Sequence, residues 1–99
     1  MAICISKNGI PIRLPEERWQ HICQRHSDIA DKKELILDAV KNPARIVAGN
    51  HGALMALQEL ELGKWLVVIY KEDRDDGFVI TAFAARRLNQ LNRRRQVWP

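Results

Sequence analysis

Three histidines, His21, His26 and His51, carry the side chains whose ordinary pKa lies near neutrality, so they are the first candidates for moving protons. His26 follows Arg25 directly, which sets a proton-transfer group beside a permanent cation at the end of a predicted helix. A structural role is the alternative, with His26 filling a half-buried position and bonding a loop carbonyl. His21 and His26 are five apart rather than four, so they do not share one helical face, and neither HExxH nor paired CxxC occurs. No metal site and no cofactor is read from these residues. Cys4 and Cys23 are too few for a disulfide framework, and Cys23 falls on a stripe predicted to be buried, where a thiol stays protonated and inert. Thr81 interrupts the apolar run Phe78-Val79-Ile80-Thr81-Ala82-Phe83, and Lys71 closes another, Trp65 to Tyr70. Thr81 is by itself an ordinary strand residue, and Lys71 reads equally as a solvated strand end or a phosphate contact.

Charge adds a second motif. Lys and Arg total 16 against 12 Asp and Glu, a net charge of +4. Arg86, Arg87, Arg93, Arg94 and Arg95 lie in one C-terminal stretch without an acid, and removing those five leaves 11 basic against 12 acidic residues over positions 1 to 85. All of the basic excess therefore belongs to the tail. Such a cluster attracts polyanions, because each neutralised phosphate releases counterions, and arginine adds a planar fork that grips phosphate oxygens in pairs. A solvated, solubilising chain end is the competing reading.

The elements that must position these groups follow from local pattern. Ala2 to Ser6 and Ile10 to Leu14 flank Lys7-Asn8-Gly9 and read as a hairpin, with Pro11 marking an edge strand. Pro15, followed by Glu16 and Glu17, opens a helix predicted to run to His26, with Trp19, Ile22, Cys23 and His26 on one stripe and Arg18, His21 and Arg25 beside it. A second helix is predicted from Asp31, as N-cap, to Lys41, with Leu35, Ile36, Ala39 and Val40 inward, ending at Asn42-Pro43. Arg45 to Ala48 and Ala53 to Glu59 then form a hairpin, Lys64 to Lys71 a central strand, and Gly77 to Ala84 its return. The sum is an α+β fold: a short N-terminal hairpin, two helices packed on a four-stranded antiparallel sheet, and an Arg-rich C-terminal tail.

Ninety-nine residues make one domain, read as a globular body over 1–85 and a basic tail over 86–99. With 46% hydrophobic and 28% charged residues the chain is built to fold rather than to stay disordered. It holds no apolar run of the roughly 20 residues needed for a membrane span and no leader pattern, which points to the cytoplasm.

The run Ile12-Arg13-Leu14-Pro15-Glu16-Glu17-Arg18-Trp19-Gln20-His21-Ile22, then Arg25-His26, then the strands Trp65 to Lys71 and Phe78 to Phe83, resembles small bacterial and phage proteins of the barnase/EndoU/colicin/RelE-like nuclease group. The similarity covers positions 10 to 84 together with the Arg-rich tail ending in Trp98-Pro99. It implies helices over an antiparallel sheet and metal-independent RNA cleavage, often as a toxin, in which the 2′-hydroxyl attacks the adjacent phosphate. On this chain the resemblance makes His26 the proton-transfer group, Arg25 and Lys71 the cations on the phosphate, Thr81 a hydrogen-bond donor, and His21 a second imidazole. Ser27 stands where the group carries a proline after the histidine.

Three functions are thus in view. The first is a ribonuclease, toxin-like and partnered by an antitoxin or inhibitor. The second is a non-catalytic RNA- or DNA-binding module gripping phosphates through Arg86, Arg87, Arg93, Arg94 and Arg95, with structural histidines. The third is an interaction protein whose tail forms a short amphipathic helix on Leu88 and Leu91, anchored by Trp98 on a partner or a second copy.

Overall fold

The computed structural model describes residues 2–99. Seven strands form one sheet: β1 (Ala2–Ile5), β2 (Pro11–Leu14), β3 (Arg45–Ala48), β4 (Leu54–Glu61), β5 (Lys64–Asp73), β6 (Asp76–Ala85) and β7 (Gln96–Trp98). Their order is β1-β2-β6-β5-β4-β3-β7, and every neighbouring pair is antiparallel except β2 and β6. The four-stranded antiparallel sheet expected from the sequence is therefore corrected to a seven-stranded mixed sheet. The predicted meander is its centre; the N-terminal hairpin adds two strands at one side through the parallel β2–β6 contact, and the chain end adds β7 at the other.

Two helices, α1 (Glu16–Arg25) and α2 (Lys33–Lys41), cover one sheet face. Pro15 occupies the N-cap of α1 in extended backbone, Glu16 and Glu17 complement the positive helix start, and Ile22 is fully buried. Asp31 does not cap α2, whose N-cap position is Lys32, because a 3-10 turn over Ser27–Ile29 takes up the chain first. Under the helices lies the larger core, where Ile22, Ile29 and Ile36 meet Leu66, Val68 and Tyr70 from β5. Each such fully buried aliphatic side chain contributes about 1.5–3 kcal/mol.

The opposite sheet face has its own apolar cluster, built on Val47, Met55, Leu57 and Val67. Its cover is the C-terminal segment. Leu88 and Leu91 pack on this cluster, Leu91–Arg93 form a 3-10 turn, and β7 pairs with β3. The tail is consequently part of the body, and the expected amphipathic docking helix is replaced by a strap across the chain's own sheet. Arg45 Nη2 donates to Asn92 Oδ1 at 2.6 Å, Arg94 Nη1 donates to the Ala48 carbonyl and Asn50 Oδ1, and Ala48 N–H donates to the Arg95 carbonyl at 2.8 Å. Trp98, expected to anchor a partner, instead lies opposite Ile46 and under the Lys7 ammonium, 4.8 Å from the ring centroid. Lys7 belongs to the β1–β2 turn, so the sheet curls far enough for its two outer ends to meet. Among the described residues no helix is long and apolar enough to cross a membrane.

Candidate functional site

The pairing of β5 with β6 decides which candidates share a surface. Lys71 pairs with Phe78 and Tyr70 with Val79, but Ile69 pairs with Thr81, so Ile80 is an extra residue in a β-bulge. Val79 and Ala82, three apart, both reach the helix-side core as a result. Thr81 is displaced onto the other face, alongside Ile69 and Phe83. Continuous pairing from Tyr70–Val79 would have set Thr81 opposite Val68 and under the helices. Lys71 alternates with the fully buried Tyr70 and so lies on the same face as Thr81, on the diagonal of the pair at about 7–8 Å in such a ladder.

His26 arrives from the side. β2 runs beside β6 only at Ile12–Gly77 and Arg13–Phe78, which leaves the rest of that β6 edge without a strand neighbour. The helix and the 3-10 turn after it contact β6. His26 ends α1 with φ −135° and ψ 68°, its N–H still donating to the Ile22 carbonyl, and the changed backbone turns the chain away from the helix axis. Its imidazole stands 6.1 Å from the Phe83 ring, tilted by 41°. His26 thus touches Phe83, on the face where Thr81 also lies.

A groove of about 670 Å³ opens beside them. Met55, Ile69 and Phe83 line its apolar part, and the strap supplies Arg87, Arg93 and Arg94 together with Asn89 and Gln90. Among the described residues no acidic side chain lines it. The five tail arginines divide by what holds them. Arg94 is bound to Ala48 and Asn50, and Arg86 lies 3.7 Å from Glu61. Arg87 and Arg93 are exposed at the groove with no carboxylate or carbonyl bonded to them among the described residues, while Arg95 is exposed but does not line it.

Arg25 is exposed at the end of α1, next to His26. His21 sits on the flank of α1, and no hydrogen bond, ion pair or ring contact joins it to His26, Thr81 or Lys71. His51 takes a left-handed backbone, φ 55°, in the exposed β3–β4 turn, a turn role rather than a site role. Cys4 is half-buried with its thiol pushed up to about 11 by burial, which keeps it protonated at neutral pH. Among the described residues no three His, Cys, Asp or Glu side chains gather as a metal-ligand cluster.

Sequence reasoning missed Phe83, Ile69 and Met55 as the floor of a groove, and Asn89 and Gln90 as polar groups in it. The first three were visible as apolar strand residues, yet period-two alternation assigns them a face only once the bulge is known. Asn89 and Gln90 carry no sequence signal beyond polarity. No protein-family model, curated protein or solved structure matches the chain.

Proposed function

We propose that the chain is a cytoplasmic, metal-independent ribonuclease that binds single-stranded RNA across the groove and cleaves it beside His26. The observation that carries this reading is the His26 imidazole against Phe83, at the rim of a groove whose other wall bears unpaired arginines. The 2′-hydroxyl attacks the adjacent phosphorus, forming a 2′,3′-cyclic phosphate and expelling the 5′-oxygen. His26 takes the 2′-hydroxyl proton and delivers a proton to the leaving 5′-oxygen. The Thr81 hydroxyl donates to a non-bridging oxygen, and Arg25 and Lys71 offset the charge that builds there. The resemblance adds His21, on the flank of α1, as a second imidazole. The nuclease resemblance supports the same roles for His26, Arg25, Lys71 and Thr81, and toxin-like use with an antitoxin or inhibitor as protein partner.

The test is incubation of the purified chain with mixed RNA in excess EDTA, with His26→Ala alongside and product ends analysed. Cleavage leaving 2′,3′-cyclic phosphates, lost in a folded His26→Ala, is the expected result. Equal cleavage by the variant overturns the role of His26. Salt-dependent RNA binding without cleavage by the folded chain overturns the ribonuclease reading in favour of a binding module.

A further inference from the structure

Beyond cleavage, the geometry points to a single-nucleotide selectivity subsite: we infer that the groove seats one base of the RNA next to the scissile phosphate and reads its edge with Asn89 and Gln90. The inference rests on the ribonuclease reading for the word scissile, and on the groove itself for the rest. Three features of the groove each match a different part of a nucleotide. The floor of Met55, Ile69 and Phe83 is apolar and includes an aromatic ring, the surface on which a base sheds water and stacks. The wall is cationic and lacks acids, with Arg87 and Arg93 free to take phosphate oxygens in paired bonds. Asn89 and Gln90, also in the lining, are exposed side-chain amides, each offering two donors and one acceptor oxygen, the group that pairs with a base edge.

The volume, about 670 Å³, lies within the roughly 300–1,000 Å³ of sites that enclose one small ligand, too small for a duplex and ample for one nucleotide with its phosphate. Duplex RNA would in any case keep its bases stacked inside the helix, away from Phe83. The strap that carries Asn89 and Gln90 is fixed at both sides, by Leu88 and Leu91 on the sheet and by the Arg45–Asn92 and Arg94–Asn50 bonds. The backbone that carries both amides is thereby fixed before the ligand arrives, which lowers the ordering cost of binding.

The probes are the four nucleoside monophosphates and inorganic phosphate, titrated into the full chain by calorimetry and by NMR of the Asn and Gln side-chain amides. At least one nucleotide is expected to bind about ten-fold tighter than phosphate, the usual scale for stacking one base on an aromatic ring, with shifts at Phe83, Asn89 and Gln90. Asn89→Ala/Gln90→Ala is expected to flatten the differences among the four bases while leaving thermal stability and phosphate binding unchanged. Nucleotides that bind no tighter than phosphate, or a base preference unaltered in the double variant, overturn the subsite. None of these measurements needs turnover. Nucleotide selectivity in a chain that does not cleave upholds the subsite without the ribonuclease reading, and cleavage by a chain that binds nucleotides no better than phosphate does the reverse.

Discussion

Removing Arg87 and Arg93 together tests whether the strap is the phosphate-binding surface. Both line the groove, and neither is held by an acid or a carbonyl, whereas Arg86 faces Glu61 and Arg94 is spent on Ala48 and Asn50. For a single strand, each phosphate contact contributes about 0.7 to the slope of log affinity against log salt. Two contacts contribute about 1.4, so a fourfold rise in salt, from about 50 to about 200 mM, weakens the native chain by an additional factor of about 7 that Arg87→Ala/Arg93→Ala does not lose. The assay is fluorescence anisotropy on a labelled 2′-O-methyl oligonucleotide, which cannot undergo 2′-hydroxyl attack, at five or so salt concentrations. Arg86→Ala serves as the internal control and should lower the slope by less than one contact, because its guanidinium already has a partner. A folded double variant with the native slope would refute the assignment, and so would an Arg86→Ala slope reduced as far as that of the double variant.

Three further predictions concern the frame that holds the site. Tyr70 is fully buried with a hydroxyl that has no hydrogen-bond partner among the described residues, so Tyr70→Phe should raise stability by about 1 kcal/mol, read as a melting temperature about 4–8 °C higher; a lower one would reveal a hydroxyl partner. A Cβ at Gly77 would fall onto the Lys71 carbonyl oxygen and within 2.6 Å of Ile12 Cδ1, so Gly77→Ala should cost about 1–3 kcal/mol in denaturant unfolding, and a neutral result would mean that β2 and β6 separate freely. Burial raises the Cys4 thiol to about 11 from 9.0 and raises the Tyr70 phenol as well. The folded state thus holds its protons more tightly than the unfolded one, and stability present below about pH 9 declines as pH rises toward 11. The urea midpoint should fall between pH 8 and pH 10.5, by less in Cys4→Ala, and an unchanged midpoint would rule out these groups as its cause.

Local pattern sufficed for much of the frame. Pro15 with its two following glutamates marks the start of α1, the turn-rich Gly49-Asn50-His51-Gly52 and the apolar run Trp65 to Tyr70 mark the central strands, and Asn42-Pro43 marks the end of α2. These signals are legible because propensity, capping and side-chain period act within a few residues. The parallel β2–β6 contact is not of that kind. It joins residues more than 60 positions apart and depends on Gly77 lacking a side chain where Ile12 approaches, with Arg13 clasping Asp76 at 3.1 Å beside it. The three-residue β7 is likewise too short to show a period, and it forms because β3 offers a free edge and Arg45 and Arg94 fasten the strap.

For the candidate site, the residue types came from the sequence and their placement came from the fold. His26 beside Arg25, Thr81 within an apolar run and five arginines near the chain end are composition and spacing. One bulged residue, Ile80, sends Thr81 away from the helix-side core, because a sheet has only two faces and an inserted residue exchanges them. An edge of β6 left open by a short β2 lets His26 reach Phe83, and a strap fastened by Arg94 turns a basic tail into one wall of a groove. Each of these is a contact between distant segments, fixed by the balance of packing and hydrogen bonding across the whole chain, which no local pattern encodes.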